Sequence, residues 1–216
     1  MAEWLNLNFA GIDRWFFLSA SSLEKVAGEF FSPFFVLVSL FGKGGIFFLV
    51  LGAILLLFRK TRRMGLNVLL AVGVGALLTN VIIKNVVARQ RPYVASEEYF
   101  NYWQSAGSHR EKEFSFPSGH VNVTMTAITA VVFNLKKNWR FTLYLFPLLM
   151  GASRIYLIVH YFTDVVGGLI VGAVSGIIAY YLTKFIYKAI KKGEHTAFSK
   201  WVLNFDLIDS IKKKSK

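Results

Sequence analysis

Three short stretches of this chain hold residue types that can do chemistry together. The first is Lys84, six intervening residues, then Arg91-Pro92. The second is Phe116-Pro117-Ser118-Gly119-His120, and the third is Ser153-Arg154, five residues, His160, three residues and Asp164. They bring three permanent cations, two histidines, one carboxylate and a glycine turn into a chain that otherwise reads as lipid-soluble helix. Ionisable groups are costly near hydrocarbon, so those found there mark function. This set suits gripping a phosphate and passing it to a histidine.

Each stretch has a functional reading and a plainer one. Lys84 and Arg91 are seven apart, two helical turns, which predicts one shared face. Two cations at a helix end also serve as snorkelling anchors. Ser118 is predicted to cap the helix that follows it. Gly119, without side-chain bulk, lets backbone N–H groups approach an anion at that helix start. An ordinary capped helix with His120 as an incidental neighbour fits the same residues. His160 and Asp164 are four apart, one helical turn, and so are expected within hydrogen-bonding reach. A carboxylate on one ring nitrogen fixes the tautomer and leaves the other nitrogen free to attack. The Arg154 fork matches phosphate oxygens. A His–Asp cap beside an interfacial arginine is the alternative.

The elements that must position these groups are membrane helices. Of the 216 residues 55% are hydrophobic and only 17% charged, against about 25% charged in a soluble domain. Uncharged runs cover 44–58, 64–83, 121–135, 141–153 and 165–183. A span needs roughly 20 residues, and the shorter runs reach that with their polar flanks. A further helix is expected from Leu23 to Phe41, opened by the capping-box spacing Ser21-Ser22-Leu23-Glu24. The fold class is therefore all-α, a polytopic bundle of about six transmembrane helices forming one domain over residues 1–216. Residues 1–22 are expected to lie at the interface as an amphipathic segment. Residues 93–117 form an extracytoplasmic loop and 193–216 a basic cytoplasmic tail. No cleavable leader is expected, and no internal repeat is visible.

The net charge of +13 is clustered. Arg59–Arg63, Lys136–Arg140 and the lysines from Lys184 onward can share one side if the chain crosses twice between clusters, which the positive-inside rule places in the cytoplasm. All three reactive stretches then fall on the outer face. A basic stripe for nucleic acid is absent, so no nucleic-acid partner is expected. The chain has no cysteine, which excludes disulfides.

Together the three stretches resemble the three motifs of the type-2 phosphatidic acid phosphatase superfamily: Lys-x6-Arg-Pro, Pro-Ser-Gly-His and Ser-Arg-x5-His-x3-Asp. Every position agrees. The resemblance implies a six-helix membrane core and metal-independent phosphate ester hydrolysis without a cofactor. It implies His160 as the nucleophile, Asp164 as its orienting carboxylate, and His120 as the acid and then the base. It implies Lys84, Arg91, Ser118, Gly119 and Arg154 as phosphate binders. The expected substrate is a membrane lipid phosphate or diphosphate. Undecaprenyl diphosphate and phosphatidylglycerol phosphate are favoured, with phosphatidic acid and lipid A 1-phosphate the alternatives. The expected location is a bacterial cytoplasmic membrane.

Two other classes compete with this reading. A metal-dependent hydrolase would use His109, His120, His160 and Asp164, but dinuclear sites need several ligands close together. A transporter or channel would place its site near the midplane on broken helices, often in repeats. Glu97, Glu98, His109, Arg110, Glu111, Lys112 and Glu113 of the outer loop either select headgroups or are simply solvated.

Overall fold

The computed structural model describes residues 1–107 and 109–214, without the side chains of 198, 213 and 214. It is helical throughout the described residues, with no strand. Helix α1 (Ala2–Asn8) leads into α2 (Ala10–Leu40), then α3 (Ile46–Leu56) and α4 (Arg62–Ala76). A π-helical stretch, Leu77–Ile83, joins α4 to α5 (Lys84–Val87). The outer segment holds α6 (Pro92–Ala95) and α7 (Glu97–Ser105). Helices α8 (Gly119–Asn134), α9 (Leu145–Tyr156) and α10 (Phe162–Lys192) follow, and α11 (Ala197–Asn204) and α12 (Leu207–Lys214) form the tail. Three helical stretches are long and apolar enough to cross a membrane: Ala10–Leu56, Arg62–Ala95 and Phe162–Lys192. Their outward side chains are apolar, among them Val26, Phe30, Ile170 and Phe185, all well exposed. The chain is an integral membrane protein, with lipid in the place water holds around a soluble bundle.

The centre of the bundle is the contact of α10 with α8 and α4. On α10, Gly168, Gly172 and Gly176 recur every four residues and so share a face. A Cβ at these positions would come within 2.8 Å of Ser118 O, 2.8 Å of Asn122 O and 3.0 Å of Thr126 O, respectively. Small residues at this interface let the two backbones approach closely, which is how membrane helices gain packing without a hydrophobic driving force. The first of these contacts sits under Ser118 and sets the height of the Gly119–His120 helix start against α10.

The first long helix departs from the expected start. Ser21 and Ser22 open no helix, because α2 already runs from Ala10, and its kink lies at Ala27 (φ −148°, ψ 33°). Ser22 Oγ donates to Leu18 O and Ser19 Oγ to Trp15 O, each four residues back. The hydroxyls satisfy themselves inside the helix instead of capping it. Within the N-terminal segment Asp13 is buried at 5% exposure, while Trp4, Leu7 and Trp15 are exposed.

At the far end, the tail is pinned to the α3–α4 turn. Buried Arg62 donates to Leu56 O, Val202 O and Phe205 O. Leu207 N–H donates to Leu57 O, and Arg59 N–H donates to Asp206. That last bond holds the Asp206 carboxyl below the ordinary carboxylate range. Residues 215 and 216 of the expected tail lie outside the described residues.

Candidate active site

The cation-bearing stretch does not remain on one helix. Helix α5 ends at Ala88, which adopts φ +51°, and Arg91 follows in extended backbone before Pro92 opens α6. The seven-residue spacing therefore places the two cations by a turn and not by a shared helix face. They still meet, because Lys84 and Arg91 line the same cavity of about 330 Å³ with Gly119, His120 and His160. Ser118, Arg154 and Asp164 stand behind its wall.

Ser118 is the N-cap residue of α8, but its side chain makes no capping bond. Its Oγ is buried and has no partner among the described residues. Arg154 Nε is in the same state. Buried polar atoms are normally satisfied, so the hydroxyl and the guanidinium N–H each keep an unused hydrogen bond. A Cβ on Gly119 would point at Lys84 Nζ, 3.6 Å away. Alanine there would fit the fold but put a methyl beside the Lys84 amine. Gly42, in the turn after α2, packs on His120, and a Cβ there would lie 2.8 Å from the ring.

His160 lies before α10, not on it. Ile158 takes φ +51° in the turn after α9, an expensive conformation for a β-branched residue. This turn swings His160 back over the N-terminus of α10. His160 Nδ1 lies 3.5 Å from Asp164 Oδ2 and 3.4 Å from Ser115 Oγ. Its Nε2 lies 3.3 Å from Arg91 Nη1. One ring nitrogen thus faces the carboxylate and the other faces the cations. A proton on Nδ1 leaves the Nε2 lone pair directed at the cavity, a tautomer assigned from these neighbours.

The carboxylate itself accepts three hydrogen bonds. Asp164 Oδ2 accepts from Tyr161 N–H at 2.9 Å and from the Ser115 hydroxyl. Its Oδ1 accepts from Arg89 Nη1 at 2.7 Å. Arg89 is 1% exposed and uses its remaining donors on Asn6 Oδ1, Thr163 Oγ1 and Asp13 Oδ2. Its guanidinium also stacks 3.9 Å from the Tyr161 ring. Asp13 in turn accepts from Thr163 N–H and Oγ1. A buried chain Asp13–Arg89–Asp164 therefore stands behind His160. Ser115, Arg89 and Asp13 escape a reading of the sequence. Arg89 sits two residues before Arg91 and looks like another interfacial cation, and Asp13 is distant in the chain.

Glu111 and Glu113 of the outer loop are not simply solvated. Glu111 Oε1 lies 2.6 Å from Arg154 Nη2 and 3.8 Å from His120 Nδ1. Glu113 pairs with Lys84. Two carboxylates thus occupy cations that a phosphate would need. Glu98 by contrast pairs with Arg14, away from the site. The carboxylate of each pair is open to solvent while its cation is buried, so the carboxylate can be displaced by another anion. The double variant Glu111→Gln with Glu113→Gln should bind inorganic phosphate about three- to tenfold more tightly as an inhibitor. An inhibition constant equal to that of the parent would mean the carboxylates do not compete for these cations.

Among the described residues, no group of three or more His, Asp or Glu side chains gathers in a metal-binding arrangement.

Comparison with known proteins agrees with the geometry. A family model described as the PAP2 superfamily matches residues 64–188, which hold every motif residue. The "Phosphatidylglycerophosphatase B" of Bacillus subtilis is 31% identical over 153 residues, covering 66% of this chain and 67% of that protein. An "Undecaprenyl-diphosphatase" of Sulfolobus acidocaldarius is 29% identical over 124 residues, 56% of each chain. Among solved structures, the transmembrane PAP2-type phosphatidylglycerolphosphate phosphatase from Bacillus subtilis superposes with a TM-score of 0.63 at 25% identity. That match covers 88% of this chain and 91% of the solved one.

Proposed function

We propose that this chain, which belongs to the PAP2 superfamily, is a membrane-embedded lipid phosphatase that works through a phosphohistidine on His160. Its family and its named relatives make it a phosphoric ester hydrolase. The observation that carries the mechanism is the two-sided setting of His160, with Asp164 at Nδ1 and the cation-lined cavity at Nε2.

The reaction follows from that setting. The Nε2 lone pair attacks phosphorus, a P–N bond forms, and the P–O bond to the lipid breaks. Protonated His120 gives its proton to the departing oxygen. Neutral His120 then takes a proton from water as the water oxygen attacks the phosphohistidine. The P–N bond breaks, inorganic phosphate leaves and both histidines are restored. Asp164 holds the ring and offsets its positive charge. Lys84, Arg91 and Arg154 balance the charge on the transferring group, where phosphoryl transfer gains most. No protein-bound metal is needed in this scheme.

The favoured substrates are undecaprenyl diphosphate and phosphatidylglycerol phosphate, in keeping with the names of the relatives. Phosphatidic acid and lipid A 1-phosphate are the other candidates. The decisive experiment measures phosphate release by purified protein from these four lipids in detergent, with and without a chelator. Hydrolysis of one lipid well above the rest, unchanged by chelation, is expected. No release from any of them would remove the lipid phosphatase reading.

We place the chain in a bacterial cytoplasmic membrane as a multi-pass protein with the site outside. The basic clusters at the opposite helix ends support this orientation. Because the chain has no cysteine, single cysteines report sidedness cleanly. Exposed Ser105→Cys should react with an impermeant thiol reagent in intact cells, and exposed Asn138→Cys should not. The reverse pattern would put the site on the other side.

The two roles of His120 separate by leaving group. An activated aryl phosphate needs little protonation of its departing oxygen, so His120→Ala should slow its first step far less than that of a lipid phosphate. General acid catalysis is worth roughly 10²–10⁴-fold, which sets the expected gap. The second step still lacks its base, so a burst followed by slow turnover is expected with the aryl ester. Equal slowing of the first step in single-turnover measurements would make His120 a phosphate binder instead.

A further inference from the structure

A second cavity, about 1000 Å³, opens at the opposite end of the molecule. Arg59, Arg63, Lys184, Lys188, Lys191 and Lys200 line it, and Glu194 is the one carboxylate among its lining residues. None of these six cations forms an ion pair among the described residues. They come from three elements. Arg59 and Arg63 belong to the α3–α4 turn and the start of α4. Lys184, Lys188 and Lys191 repeat at helical spacing on α10, and Lys200 lies on α11.

The cavity is built, not merely a charged end. Arg62 is buried and saturated by three backbone carbonyls, two of them from the tail. Its guanidinium also lies 5.6 Å from the Phe205 ring. With the Arg59 and Leu207 bonds, these contacts hold the tail against the α3–α4 turn and close one wall. Like charges confined this way repel over about a Debye length, roughly 8–10 Å, so the arrangement gains most from a multiply charged anion.

Its depth points to the source of that anion. Asp164 and Lys188 lie 24 residues apart on α10, roughly 36 Å at about 1.5 Å per residue, comparable to a bilayer with part of its headgroups. Trp201, Ile208 and Ile211 are exposed on the tail helices beside the cavity. This is the pattern of an interfacial helix resting at headgroup depth.

We propose that this cavity binds a phosphate-bearing anion with at least two negative charges, separate from the catalytic phosphate site, and that an anionic phospholipid headgroup of the opposite leaflet supplies it. The proposal concerns a different end of the molecule and stands whether or not His160 is the nucleophile.

The test compares charge-matched variants of the full chain. Thermal unfolding in detergent is followed while cardiolipin, phosphatidylcholine or soluble tripolyphosphate is titrated in. The variant Lys188→Gln with Lys191→Gln removes two charges from the cavity. Lys136→Gln with Lys137→Gln removes two basic charges outside it. Cardiolipin should raise the unfolding midpoint saturably in the parent and in the Lys136/Lys137 variant, and phosphatidylcholine should not. The cavity variant should need at least about tenfold more cardiolipin for the same shift, since each basic residue near an anionic surface contributes about 1 kcal/mol. If the double lysine variant is poorly folded, Arg63→Gln with Lys200→Gln strikes the same cavity from other elements and must show the same loss. A saturable shift with tripolyphosphate alone, lost in the cavity variants, would keep the site and make its ligand soluble. A shift unaffected by either cavity variant, or weakened equally in the Lys136/Lys137 control, or absent with both anions, overturns the proposal.

Discussion

Replacing His160 with alanine should lower turnover by at least about 10³-fold while leaving a folded protein, because removal of a nucleophile leaves only binding and electrostatic stabilisation. The ring is 3% exposed and touches Ser115, Asp164 and Arg91, so its loss leaves a small void and one weakened contact on each partner. That costs some stability but not the fold, since the bundle rests on the α4, α8 and α10 contacts elsewhere. The test has two parts. Turnover is measured on whichever lipid the parent cleaves best. The parent is also quenched in denaturant during turnover and probed for phosphate on histidine, which is acid-labile and stable in base. The label should map to His160 and be missing from the variant. Activity above a few per cent of the parent, or a label at His120, would move the nucleophile.

Arg89→Met should be the most damaging change among residues that do not touch the substrate. Arg89 holds two carboxylates, Asp13 at 2.8 Å and Asp164 at 2.7 Å, and all three side chains are nearly sealed from solvent. Breaking a buried pair by removing one partner typically costs about 3–5 kcal/mol, because the other charge stays buried and unmatched. Here two would be stranded, against a total stability of about 5–15 kcal/mol for a typical domain. We expect a large fall in unfolding midpoint and at least a hundredfold fall in kcat, since Asp164 loses the group that sets its Oδ1. Lysine at this position keeps the charge but not the fork, and should recover less than half of the lost stability. Adding Asp13→Asn to Arg89→Met removes one stranded charge. Stability should partly return while kcat stays low, because Asp164 is still unpaired. A coupling of this kind is what a double-mutant cycle isolates. Arg89→Met with kcat within threefold of the parent would show that Asp164 needs no support from behind.

Much of this protein is legible in its residues alone. The absence of charge from long runs dictates helices in lipid, because only closed backbone hydrogen bonding survives there. The eight motif residues stand out by type and spacing, and six of them lie on or beside one cavity: Lys84, Arg91, Gly119, His120, Arg154 and His160. Asp164 stands directly behind His160. Ser118 keeps its place but not its capping bond. The way they converge was not legible. The spacing of Lys84 and Arg91 suggested a shared helix, and that of His160 and Asp164 another, yet Ala88 turns the chain through the left-handed region between the first two, and Ile158 does so just before His160. Local sequence favours neither residue there. Only the packing around it can hold Ile158, 2% exposed, in that conformation.

The deeper difference lies in what supports the site. Residue type and spacing determine which groups can react, because nucleophile, acid and cation chemistry belong to single side chains. They do not determine which buried charges find one another. Asp13 and Arg89 are 76 residues apart, and each looks like an interfacial charge on its own helix. Burial decides the matter: away from water a carboxylate must be paired, and the fold brings the two long helices close enough that one arginine meets both Asp13 and Asp164. Glu111 and Glu113 follow the same rule at the mouth of the site, where the loop's carboxylates settle on the buried cations Arg154 and Lys84.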